Sequence, residues 1–395
     1  MTPTFNGYRR ANGRVGVRNY VAVIPTSVAA SSIVRGASEI GAWAKPTPHQ
    51  MGTSQPPAAR EQTERVLVGT GQNPNVGAAL VVELGTEESD AGELADQIAE
   101  TGKAVETLSI RDAGGTRLAV KRAKEILKDL NEEVSLARRE EADASELIFA
   151  AECGGSDATS GIASNPTVGN ASDRLVEDGG TASFSETPEF IGAEHILAER
   201  CVDDELREHL LERVAQREEM ADMMGVDLRG AQPTPGNQEG GLTTIEEKSL
   251  GAIAKGGTTP VEGMVEYAER LPTGGGLVLM DTPGYDVESV VGKVAGGAQV
   301  VAFTTGRGST TGNPIAPVIK VAGNPKTWEK MSNNMDVNAS TVFDGDSVEE
   351  VGGRLYDTLL SVADGQHTEA EKRGLEEFAV NEVQPKQIAG SGVGR

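Results

Sequence analysis

Residues 20–25, Tyr-Val-Ala-Val-Ile-Pro, are a short apolar run of the kind that makes a buried parallel strand. The helix-compatible Val28–Ile40 follows, and the alternation then repeats. A helix pattern covers Ala58–Val68, a strand Ala78–Leu84 (AALVVEL), a helix Ser89–Glu100 and a strand Val105–Ile110. Thr116–Glu132 closes the series as a charged amphipathic helix. This βαβα rhythm predicts an α/β fold, with a parallel, doubly wound, Rossmann-like sheet over residues 1–140. No G-x-G-x-x-G follows the first strand, so the rhythm gives no warrant for a dinucleotide.

Arg138–Ser145 (RREEADAS) is charged and small, and reads as the seam before a larger α/β domain with glycine-rich loops, 141–395. There Leu147–Ala151 is apolar, helical patterns cover Pro188–Met224 with a break near Val202–Asp204, and Gly230–Gly241 is rich in glycine and proline. Thr243 and Thr244, followed by Glu246 and Glu247, resemble a capping box. Strands are expected at Gly276–Met280, Gln299–Thr304 and Val318–Val321. Helices are expected at Val348–Ala363 and Glu369–Phe378, and a loose tail at Gly390–Arg395.

Hydrophobic residues make up 37% of the 395 and aromatics only 4%, so the cores must rest on Val, Ile, Leu and Ala. The formal net charge of -24 repels phosphate backbones and anionic membranes, which argues against nucleic acid and membrane as partners. With Arg favoured over Lys, the acidity reads as that of a salt-loving cytoplasm. Two cysteines, Cys153 and Cys201, exclude a disulfide framework and a four-thiolate zinc site within one chain. No signal peptide and no apolar run of membrane length is visible, so a cytoplasmic protein is expected.

Four segments empty from apolar runs into glycine, small polar and charged residues: Cys153–Asn165, Ser183–His195, Lys248–Thr259 and Thr304–Asn313. Such loops gather where open α/β sheets bind ligands, and glycine lets backbone N–H groups approach an anion. A protein this acidic needs a local cationic patch to hold an anionic substrate. Lys255 beside Gly256–Gly257 and Arg307 between Gly306 and Gly308 fit that role, Arg307 as a bidentate fork. Ser156, Asn165 and Thr305 are candidate substrate contacts in the same loops. Glu186, Glu189, Glu194 and His195 fall within ten residues and could hold a divalent metal or act as acid and base. A helix start enriched in acids explains Glu189 equally well. Asp157 is a further ligand candidate; Lys248 and His49, the latter at a strand-to-loop transition, complete the catalytic set. Cys153 reads as a soft ligand or a small buried hydrophobe.

The motifs GYRRANGRVGVRN, CGGSDATSGIASNPTVGN, SETPEFIGAEH, GNQEGGLTTIEEKSLGAIAKGGTTP, MDTPGYD and FTTGRGS resemble the large catalytic region of altronate and galactarate dehydratases. QNPNVGAALVV and TGNPIAPVIKVAGNPKTWEKMSNNMDVN also resemble the large subunit of sulfolactate sulfo-lyase, of the same family. The resemblance implies a lyase that performs a metal-assisted β-elimination with Fe2+ or Mn2+. In the leading reading a sugar acid loses water to give a 2-keto-3-deoxy acid; in the alternative, sulfolactate loses sulfite to give pyruvate. A non-catalytic sugar-acid-binding protein is the reading from another class. The dehydratases often carry cysteines where this chain has Thr53, Thr86, Asn313 and Ala339, so any metal here would need other ligands. Those enzymes also begin with a small domain before the GYRR region. The resemblance therefore implies a separate small subunit as partner, within an oligomer.

Overall fold

The computed structural model describes residues 2–223 and 225–382, so the tail expected at Gly390–Arg395 lies outside the described residues. Its strands are β1 (Thr4–Arg9), β2 (Val15–Gly16), β3 (Tyr20–Pro25), β4 (Ala44–Pro46), β5 (Val76–Glu83), β6 (Ala104–Ser109) and β7 (Glu140–Asp143). They continue as β8 (Ile148–Cys153), β9 (Thr181–Phe184), β10 (Val261–Val265), β11 (Gly276–Met280), β12 (Val300–Thr305), β13 (Val318–Ala322) and β14 (Val337–Asn338).

The apolar runs become parallel strands because both faces of each are covered. β4-β3-β5-β6 form a four-stranded parallel sheet. Helices Ser31–Ser38 and Thr116–Val134 pack together on one face of it, and Pro57–Gln72 and Ala91–Ala99 on the other. The second sheet is parallel throughout, in the order β10-β11-β9-β8-β12-β13-β14. The chain leaves β8 for β9 on one side, while β12 flanks β8 on the other. That reversal is a topological switch point, where the loops at the strand C-termini part and leave a crevice. Helices Asn165–Glu177 and Val348–Ala363 cover one face. On the other, helix Asp286–Ala295 packs against helix Pro57–Gln72, so a single apolar cluster runs from Ala22 and Ile24 through Leu67 to Val290, Val301 and Phe303.

Several elements depart from the sequence expectation. Arg138–Ser145 contains β7, which pairs antiparallel with β1 in a small sheet with β2; alternating charges hide a strand this short. The helix expected over Glu369–Phe378 is confined to Glu369–Lys372, ending before Gly374 at φ 62°. At helix Ile245–Ile253 the Thr244 side chain accepts from the Glu247 N–H, while Glu247 accepts from Thr243, one residue earlier than a capping box requires. No described helix is long and apolar enough to cross a membrane.

Candidate active site

Where β8 stops decides what meets at the switch point. Glu152 and Cys153 are its last two residues, and the strand's alternation sends them to opposite faces. Glu186 lies two residues beyond β9 in left-handed backbone, φ 72°, a conformation that costs a non-glycine residue about 1–3 kcal/mol. Its N–H is held by Thr282 Oγ1 at 2.9 Å. Glu189 follows in the 3-10 turn Thr187–Phe190, which is fixed to the MDTPGYD loop: Thr187 donates to Asp281 Oδ1, also gripped by Arg217.

Lys255, fully buried, joins these groups. Its ammonium donates to Cys153 Sγ and to Glu186 Oε2, both at 2.7 Å, with Glu189 Oε2 at 3.9 Å. The thiol in turn lies 3.1 Å from Glu189 Oε2. Lys248 reaches the other Glu189 oxygen at 2.9 Å. On the opposite face Lys293 pairs with Glu152 Oε2, which also accepts from Ser289 at 2.6 Å. Asp286, at the start of helix Asp286–Ala295, closes the group on that side.

Burial, then Glu152 and Glu189, push the Glu186 carboxyl well above its usual range against the pull of Lys255. Burial raises the Cys153 thiol, helped by Glu186 and Glu189. Burial works the other way on Lys255, but Cys153, Glu186 and Glu189 outweigh it and keep the ammonium charged. Glu189 is also lifted by burial, yet Lys248 and Lys255 overcome this and hold it ionised. Asp286 is driven up to about 7 by burial and by Glu186 and Glu189. The cluster thus combines fixed cations, one firm carboxylate and carboxyls able to keep a proton near neutrality.

Two buried oxygens, Glu152 Oε1 and Glu186 Oε1, have no hydrogen-bond partner. A proton shared between the two carboxyls, or a cation, would satisfy both. Two sets of donor atoms lie within 4.8 Å of one another: Cys153 with Glu186 and Glu189, and Glu152 with Glu186 and Asp286. Oxygen donors with a single sulfur suit a divalent ion such as Mn2+ or Fe2+.

A cleft of about 520 Å³ opens beside the cluster, lined by Ser156, Asp157, Asn165 and Lys248. Lys248 is shared, one face on the cleft and its ammonium on Glu189. Of the residues singled out from the sequence, Glu186, Glu189, Lys248 and Lys255 converge, and Ser156, Asp157 and Asn165 border them. Asn165 is oriented by Thr304, whose hydroxyl donates to its Oδ1 at 2.6 Å.

The candidates outside both donor sets have other tasks. Asp157 accepts from Thr159 and Asn324 and stands apart from both donor sets. Glu194 accepts from the Gly192 N–H as a local turn acceptor, and His195 is exposed on helix Glu194–Ala198. Thr305 accepts from the Gly308 N–H at 2.9 Å. Arg307 is corrected most: its side chain is 41% exposed, bound to Gly236 O and to Glu239 at 3.1 Å, because the loop after β12 folds over residues 234–239. His49 is buried with both ring nitrogens on backbone groups, Pro25 O and the Met51 N–H, which makes it a loop anchor. The sequence reading missed Glu152, Asp286 and Lys293 as members. An acidic residue ending an otherwise apolar strand, as Glu152 does in LIFAAEC, was the available signal.

The likeness to known proteins spans the residues that converge here. Residues 144–386 match the family model "D-galactarate/Altronate dehydratase, C-terminal", and residues 7–135 match "D-galactarate dehydratase/Altronate hydrolase, second domain". The chain is 41% identical to the (2R)-sulfolactate sulfo-lyase subunit beta of Chromohalobacter salexigens, over 96% of this chain and 97% of that one. It is 34% identical to the altronate dehydratase of Bacillus subtilis, over 95% of this chain and 77% of that enzyme. The galactarate dehydratase (L-threo-forming) of Escherichia coli is 33% identical, over 92% and 73%. Matched along nearly its whole length, this chain belongs to the D-galactarate/altronate dehydratase family.

Proposed function

We propose that the chain is the large subunit of a lyase performing β-elimination on an anionic 2-hydroxy acid. The observation that carries this reading is the pairing of Lys248 and Lys255 with buried acid groups in one cluster, beside a cleft that Lys248 lines. Removing the proton beside a carboxylate places a second negative charge on that group, and fixed cations must stabilise it in a site shielded from water. Lys248, on the cleft wall, would meet the substrate carboxylate. Lys255 holds Glu186 and Cys153 in place and adds positive field from below. Asp286, poised near neutrality, would take the proton and return it to the departing group.

Cys153, Glu186 and Glu189 would hold a divalent ion, whose contribution when bound is Lewis-acid stabilisation of the enediolate. The buried, partnerless Glu186 Oε1 supports this.

For the leaving group, the 41% identity to a protein named as a sulfo-lyase subunit favours sulfite from a sulfolactate-like acid, with a partner subunit. The second reading, loss of water from a sugar acid, is favoured by the TTGRGS, SETPE and MDTPGYD motifs. The test is to incubate the chain, alone and with a co-encoded small subunit, with sulfolactate, altronate and galactarate in the presence of Fe2+ or Mn2+. Sulfite with pyruvate selects the first reading and a 2-keto-3-deoxy acid the second. No turnover in any combination removes both.

A further inference from the structure

A second group of cations lies away from this site, at the junction of the two sheets. The turn Gln72–Asn75 ends helix Pro57–Gln72 and is ringed by Arg10, Arg14 and Lys103. Lys103 is buried and donates to Gly71 O at 2.9 Å and Asn73 O at 2.6 Å. Arg10 donates to Pro74 O at 2.7 Å and to Arg18 O and Asn19 Oδ1. These two have a structural task, since cations complete the carbonyls at a helix C-terminus. Arg14 has none: its guanidinium rests on Gly297, and Nη2 is buried without any partner. Arg270 is exposed beside it, close enough to depress the Arg14 pKa to about 10 together with the larger effect of burial.

Arg14, Arg65 and Arg270 line a cleft of about 370 Å³ walled by helix Pro57–Gln72 on one side and residues 268–270 and 295–297 on the other. Among the described residues, none of Arg10, Arg14, Arg65, Lys103 and Arg270 has a carboxylate within ion-pairing distance, although the chain carries a net charge of -24. Three glutamates line the same cleft. Glu64 accepts from Ser89 at 2.8 Å and pairs with Arg60, Glu269 accepts from the Glu266 N–H at 2.9 Å, and Glu61 is exposed. With Glu64 and Glu269 engaged elsewhere and Glu61 turned to solvent, the repulsion between Arg14 and Arg270 has an energetic cost that a bound anion removes.

We propose that this cleft is a binding site for a small multivalent oxyanion, a phosphate ester or a polycarboxylate, held chiefly by Arg14 and Arg270 and distinct from the active site. Bidentate guanidinium contacts suit either group. Because the walls come from both sheets, an anion bound there would also tie the two halves together.

The experiment is isothermal titration with inorganic phosphate and, separately, citrate at constant ionic strength, on the wild type and on Arg14→Gln, Arg270→Gln and the exposed control Arg117→Gln. The expected result is saturable binding of at least one probe, weakened about tenfold or more by either cleft substitution and unchanged by the control. Phosphate alone, or citrate alone, identifies the class of ligand. Circular dichroism confirms that each variant is folded, and the exposed position of Arg270 keeps the test open should Arg14→Gln unfold. Absence of saturable binding to both probes overturns the proposal. So does binding that Arg270→Gln leaves unchanged, because the site would then lie elsewhere.

Discussion

Lys248 and Arg307 carry the same charge in similar glycine-rich loops, and burial separates their roles. Lys248 is nearly enclosed beside Glu189, whereas Arg307 meets Glu239 at the surface. Lys248→Met should lower kcat/KM by about 2–4 kcal/mol of transition-state stabilisation. Arg307→Ala should change it by less than about 1 kcal/mol, as for other exposed ion pairs. Steady-state kinetics of the two variants on one substrate check the contrast, and equal losses would refute it. Sequence could not make this distinction, because loop composition says where a site lies but not which side chains turn inward. The run of acids from Glu186 to Glu194 shows the same limit: backbone in the left-handed region brings Glu186 and Glu189 inside and leaves Glu194 as a turn acceptor. Glu288 allows a residue-level test by pH. Burial and Glu382 raise its carboxyl to about 7, so the folded state retains a proton that the unfolded chain releases near pH 4.5. Its contribution to stability is therefore complete below the unfolded value and is lost as pH rises through about 7. Glu288→Gln should gain in Tm relative to the wild type between pH 5 and pH 8, measured by thermal unfolding. A gap that stays constant or shrinks would rule this out.

At the scale of elements, periodicity read well wherever burial was simple. Gly276–Met280 and Val348–Ala363 appear with the bounds the pattern predicts, and β3, β5 and β6 of the first sheet agree within two residues at either end, while β4 went unread. The elements left unread were those whose neighbours decide them. β10 becomes a strand by pairing with β11, and helix Asn165–Glu177 is masked by Pro, Gly and Asn in NPTVGNASDRLVE. Helix Asp286–Ala295 couples fold to site, since its Lys293 pairs with Glu152 at the end of β8 and both are fully buried. Lys293→Met would leave an uncompensated carboxylate in the interior. It should destabilise the fold by about 3–5 kcal/mol in denaturant titration, far more than its lost packing. A loss under about 1 kcal/mol would refute this.

For the whole molecule, self-repulsion at a net charge of -24 opposes compactness. Raising KCl from about 0.1 to 1 M shortens the screening length from about 10 to 3 Å and should raise Tm steadily, whatever the ligand. A flat or falling Tm would place the stabilising interactions among surface ion pairs instead. The apolar cluster that passes from the first sheet through helices Pro57–Gln72 and Asp286–Ala295 into the second has a thermodynamic corollary. Neither half can melt without baring the other's wall, so differential scanning calorimetry should give one endotherm whose calorimetric and van't Hoff enthalpies coincide.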